Sequence, residues 1–162
     1  MSSTFAKLNL KDQKDIVVVN APASFEPEIA SLTGVTVRRS MSDTKQVEFS
    51  LTFATKQKDV DALATIVVRK AAGDAIVWIA YPKKSSKKYT CEFNRDSGWP
   101  SMGAAGFEPV RMVAIDEDWS AVRFRRAEFI KNMTRPAEHR HSGVAKNKTT
   151  KSKSTKITKK PE

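Results

Sequence analysis

Two runs of apolar residues constrain this chain more than anything else in it. Ile16, Val17, Val18 and Val19 form one; Ala75, Ile76, Val77, Trp78, Ile79, Ala80 and Tyr81 form the other. Neither alternates with polar residues, so each reads as a strand buried on both faces, the condition of strands inside a parallel sheet. Parallel neighbours need a crossover, usually a helix. The chain supplies one between the two runs: Val60, Leu63, Ala64, Val67, Val68 and Ala71 recur at helical spacing as one stripe. Pro22 and Pro82 close the runs, since proline cannot donate to a ladder.

The remaining elements follow from local signals. Residues 25–32 read as a short helix that Gly34 closes, and residues 35–37 as a second strand. Val47, Phe49, Leu51 and Phe53 alternate with Glu48, Ser50 and Thr52, a period of two that predicts a third strand. Thr55 suits the start of the long helix, and Gly73 the left-handed residue past its end. Residues 99–105 read as a helix with Pro100 in its first turn and Gly106 at its stop. Residues 110–115 and 119–124, joined by Asp116, Glu117 and Asp118, predict an antiparallel hairpin. The expected fold is a small Rossmann-like α/β domain over residues 1–134, a mostly parallel sheet with a C-terminal antiparallel hairpin.

Charge is unevenly placed. Nine basic residues against Glu138 and Glu162 leave seven of the eleven net positive charges on the last 28 residues. Val144 and Ile157 are the large aliphatics there and no aromatic is present, so residues 135–162 are expected to be a disordered, Lys-rich tail. Lys146, Lys148, Lys151, Lys153, Lys156, Lys159 and Lys160 are spaced so that a flexible chain could track phosphates; a merely solubilising tail is the alternative. No apolar run approaches the ~20 residues of a membrane span. Residues 1–12 lack the order of a secretory signal, and a single cysteine, Cys91, cannot form an internal disulfide. A cytoplasmic protein is expected.

Taken in order, Val17, Val18, Val19, Asn20, Ala21 and Pro22, then Tyr81 to Lys87, then Ala105, Gly106 and Phe107, then residues 116–123 ending in Arg123, resemble a family of small bacterial proteins known only as a domain of unknown function. The resemblance covers roughly residues 5–130 and implies a cytoplasmic bacterial protein, with no activity or catalytic residues attached. More distantly, the second half is similar to the C-terminal half of Rossmann-like methyltransferases, with a strand, a helix, a strand ending near proline, a helix and an antiparallel pair. Their cofactor motif is missing: the first turn runs Asn20, Ala21, Pro22, Ala23, Ser24 and Phe25 without glycine, and the second strand ends in Arg38 and Arg39 instead of an acidic residue. No cofactor is expected.

The candidate contacts lie after the strands. Lys83, Lys84, Lys87 and Lys88, with Ser85, Ser86 and Arg95, follow the central strand at its carboxyl end, where open α/β sheets bind ligands. They would suit phosphates, with Tyr89, Phe93 and Trp99 as stacking surfaces; a solvated loop is the alternative. Asn20 and Ser24 could hydrogen-bond a ligand or close their own turn. Asp116, Glu117 and Asp118 could hold a hard cation or act as acid and base, but pairing with Arg123, Arg125 or Arg126 is the simpler use. Cys91 reads as passive, and His139 and His141 fall in the tail, which leaves no histidine for a nucleophilic site in the fold. No metal site is expected. The leading expectation is a non-catalytic domain that contacts DNA, RNA or another polyanion non-specifically. The rival is a small anionic-metabolite-binding or enzymatic domain using Lys83, Lys84, Lys87, Asn20 and Arg95.

Overall fold

The computed structural model describes residues 3–93 and 98–130. Arg95 and residues 135–162, with all seven tail lysines named above, lie outside the described residues. The elements run α1 (Ser3–Lys7), β1 (Asp15–Val19), α2 (Glu26–Ala30), β2 (Thr36–Arg38), β3 (Val47–Phe53), α3 (Gln57–Lys70), β4 (Ala71–Pro82), α4 (Pro100–Ala104), β5 (Phe107–Ala114) and β6 (Trp119–Arg126). Six strands form one sheet in the order β2-β1-β3-β4-β6-β5. β1 to β4 are mutually parallel, whereas β6 runs antiparallel to both β4 and β5. The fold is therefore the expected Rossmann-like α/β sheet with an antiparallel C-terminal hairpin, and β6 inserts between β4 and its hairpin partner.

Both sheet faces are covered. α3 and α4 pack on one, where Val60, Leu63, Ala64 and Val67 meet Val17, Val77 and Ile79. On the other, α1 and α2 with the residues that flank them bring Phe5, Leu8, Phe25 and Ile29 against Ile16, Val18, Leu51 and Trp78. The two covering layers explain two features that local sequence did not carry. Ser50 and Thr52, the polar residues of the β3 alternation, lie under α3 and are buried. α1 itself has too few residues to show a period; it is held because the buried indole Nε1 of Trp78 donates to the carbonyl of Leu8 at 2.8 Å.

The ends of α3 also differ. Thr55 does not cap it: Lys56 occupies the cap position, and the Glu92 carboxylate accepts from the Gln57 N–H at 3.0 Å. Val68 leaves the stripe at 42% exposure. The helix runs directly into β4, and the residues after it bulge, since Val47 pairs with Ala71 but Phe49 with Ile76. Gly73, at φ +54°, turns within that bulge instead of at the helix end. Among the described residues no helix is long and apolar enough to cross a membrane.

Candidate functional site

β2 lies on one side of β1 and β3 on the other, so chain direction across the sheet reverses between β1 and β3. The carboxyl ends at such a reversal form the crevice where open α/β sheets take ligands. Asn20 turns the chain out of β1 at φ 59°, a left-handed conformation that asparagine tolerates better than most residues. It makes no side-chain hydrogen bond among the described residues, so its use in the turn is conformational, not the Asx-type bonding that sequence suggested. A 3₁₀ turn, Ala23–Phe25, follows and buries Phe25. Its ring centroid lies 5.6 Å from that of Phe5 and 5.0 Å from that of Phe53. Trp119 extends the row, 5.0 Å from Phe53 and 4.9 Å from Tyr89. Aromatic side chains thus close this face at the strand ends.

On the opposite face Tyr81, Phe93, Trp99 and Phe124 make a second aromatic nest, with the Trp99 ring 5.8 Å from Tyr81 and 5.1 Å from Phe124. Phe93 and Trp99 are buried core residues and not stacking platforms. Their ring contacts with Tyr81 of β4 and Phe124 of β6, invisible in local sequence, decide this. Cys91 is half-buried; burial pushes its thiol up, the Phe93 backbone opposes this and Glu92 adds to it. A protonated thiol is a poor nucleophile.

The 83–88 loop leaves β4 at this same edge. Lys83 is half-buried and Lys84, Lys87 and Lys88 are exposed. Ser86 organises the loop: its Oγ accepts from the N–H groups of Lys88 and Tyr89 at 3.2 and 3.1 Å, and bonds Asp118 Oδ1 at 2.9 Å. The Lys83 N–H donates to the Asp118 carbonyl at 2.7 Å. Asp116 Oδ1 in turn accepts from the N–H groups of Asp118 and Trp119. The acidic turn is therefore occupied by backbone and by Ser86, and does not pair with the arginines as the sequence suggested. Those arginines go elsewhere: Arg125 to Asp74, and Arg126 to the last carbonyls of α3, donating to Ala71 at 2.9 Å. Among the described residues no group of His, Cys, Asp and Glu could hold a metal ion. The lysines share one loop, whereas Asn20 stands two strands away with β3 between.

No protein-family model matches this chain, and no curated protein matches it. Solved structures do. A SAM-dependent methyltransferase from Aquifex aeolicus superposes with a TM-score of 0.52 at 16% identity, covering 75% of this chain and 87% of that one. A possible exported protein from Bordetella parapertussis gives a TM-score of 0.52 at 9% identity, covering 76% and 65%. At these identities the likeness establishes the Rossmann-like fold.

The residues at the strand ends do not fit the usual cradle of a nucleoside cofactor. That cradle uses a glycine turn whose backbone approaches the ligand, a helix opening from it, and an acidic side chain after the second strand. Here Asn20, Ala21 and Pro22 form the turn, Pro22 has no N–H to offer, and α2 has five residues. Arg38 ends β2 and Arg39 follows it, and both are engaged, with Asp15 at 2.7 Å and with Glu26 at 2.7 Å.

Proposed function

We propose that this chain is a non-catalytic Rossmann-like domain that contacts nucleic acid or another polyanion without sequence preference, through the 83–88 loop and the lysines of residues 146–160. The observation that carries this reading is the bracing of the loop. Ser86 and the Lys83 N–H tie it to Asp118, while Lys84, Lys87 and Lys88 remain exposed at the sheet edge. Ammonium groups on a fixed loop act as point charges for phosphates, and the basic residues beyond position 134 add seven net charges. The filled strand ends leave little else there for catalysis.

The test is duplex DNA and RNA binding by the full chain across a salt series. With five to seven phosphate contacts, log K falls with log salt at a slope of about −5 to −6. Replacing Lys84, Lys87 and Lys88 by alanine reduces that slope by about 2 to 3. Replacing Lys151, Lys153, Lys156, Lys159 and Lys160 by serine in the full chain reduces it further. A wild-type slope near zero, or the same slope in all three proteins, sinks the reading. The fold itself favours one second reading, a small anionic metabolite held by Lys83, Lys84 and Lys87 at the strand ends. That reading requires a specific phosphorylated compound whose thermal shift disappears in Lys84→Ala/Lys87→Ala.

A further inference from the structure

Arg111 of β5 stands directly opposite Arg123 of β6 in antiparallel register. Opposed residues of such a pair leave the sheet on the same face. On its other side Arg123 is in register with Trp78, whose side chain packs on the α1 face, so both arginine side chains leave the sheet on that face. Like charges placed this way destabilise a ladder. Arg125, two residues on and on the same face, is already satisfied: its Nε and Nη2 donate to the two oxygens of Asp74 at 2.8 and 2.6 Å. Among the described residues nothing accepts a hydrogen bond from Arg111 or Arg123, and Arg123 Nε is buried without a partner. Burial works against the charged form of Arg123, and the charges of Arg125 and Arg111 add to this while Asp74 opposes it. Arginine keeps its proton in proteins, so loss of charge cannot relieve the pair.

We propose that Arg111 and Arg123 form an oxyanion site for a phosphoryl group, distinct from the lysine loop. Each guanidinium offers a planar fork of N–H donors that matches a phosphoryl edge in bidentate fashion. Two forks offer more donors than the two oxygens of a carboxylate can take, whereas a phosphoryl group presents three oxygens and a charge near −2. The strands hold the two Cα atoms in fixed register, so both side chains start from one place on the sheet. Either a free phosphorylated compound or a nucleic-acid backbone could supply the group.

The test compares thermal unfolding of the full chain in phosphate and in chloride at matched ionic strength. Phosphate at about 50 mM raises the midpoint of the wild type by roughly 3–5 °C more than that of Arg111→Gln. Because Arg111→Gln removes like-charge repulsion, its midpoint in chloride is at or above that of the wild type, which a merely structural role for Arg111 would not give. General stabilisation by excluded phosphate persists in both proteins and cancels in the comparison. Equal phosphate responses, or a variant less stable in chloride, overturn the proposal. The Lys84→Ala/Lys87→Ala/Lys88→Ala protein keeps the phosphate response, so failure of the lysine-loop reading leaves this one standing. A short single-stranded oligonucleotide then separates the sources. Weaker binding by Arg111→Gln assigns the site to backbone phosphates, and unchanged binding with a lost phosphate response assigns it to a free phosphorylated ligand.

Discussion

Ser86 and Asp118 are 32 residues apart in sequence, and a 2.9 Å hydrogen bond between their side chains makes the lysine loop and the acidic turn one unit. The same Ser86 oxygen accepts from two loop N–H groups, so removing it frees three partners at once. All are near solvent and can rehydrate, which limits the loss in Ser86→Ala to about 1–2 kcal/mol. The sharper signature is local. Amide exchange of Lys88 and Tyr89 should accelerate while that of β4 stays unchanged, and hydrogen-exchange mass spectrometry reads this directly. Unchanged exchange there would show that the loop is held by something else.

The long helix α3 is closed at both ends by residues far away in sequence. At its start Glu92 accepts from the Gln57 N–H. At its end the Arg126 guanidinium donates to the Ala71 carbonyl and stacks over the Phe107 ring, 5.0 Å from its centroid. A cation at a helix C-terminus also meets the negative end of the dipole. Glu92→Ala should cost about 1 kcal/mol and Arg126→Met about 1–2 kcal/mol in urea unfolding. The two should be additive, because the sites lie at opposite ends of the helix.

Those caps show where sequence reading stops. The apolar runs of β1 and β4, the stripe of α3 and the hairpin around Asp116 were legible because each is a local pattern with a fixed period. Thr55 looked like a cap because only neighbours can be weighed from sequence; Glu92 reaches that position through the tertiary fold. Proximity misled in the same way for Arg125. Asp116 is nearer in sequence, but the antiparallel pairing of β4 with β6 carries Arg125 toward Asp74. The lysine loop was visible as a charge run, but Ser86, which sequence offered as a phosphate contact, instead anchors the loop to Asp118. The pairing of Arg111 with Arg123 needs the hairpin register, which a one-residue slip would destroy.

Burial of Ser50 and Thr52 yields a prediction of opposite sign. Neither hydroxyl has a hydrogen-bond partner, and both lie beneath α3. An unsatisfied buried hydroxyl carries a desolvation cost of about 1–3 kcal/mol, so a shape-matched apolar replacement recovers part of it. Thr52→Val should leave stability unchanged or raise it by up to about 1 kcal/mol, measured by urea unfolding. Trp78→Phe is the contrasting control: it removes the donor to Leu8 and leaves that carbonyl buried, at a cost of about 2–4 kcal/mol. A destabilised Thr52→Val would mean that the hydroxyl has a partner, such as a buried water.

The two arginines that replace an acidic residue after β2 give the fold its acid sensitivity. Arg38 donates to both oxygens of Asp15 at 2.8 and 2.7 Å, and Arg39 to both of Glu26 at 2.8 and 2.7 Å. The hydrogen bonds from Arg38 hold the Asp15 carboxyl below its ordinary value, and those from Arg39 do the same for Glu26, against a small opposing effect of burial. A carboxylate with a depressed folded-state pKa contributes stability that is fully present above its unfolded value. That contribution is lost as pH falls through the folded value. Stability should therefore be level from pH 7 to about 5, then decline as pH drops below the ordinary carboxylate range near 4. Both pairs are partly exposed, so the decline is shallow and salt weakens it. Asp15→Asn and Glu26→Gln should each flatten the acid limb while lowering stability at neutral pH. The check is urea unfolding from pH 3 to 7 at low and high salt; an acid limb of unchanged slope in the double variant would place the sensitivity in other carboxylates.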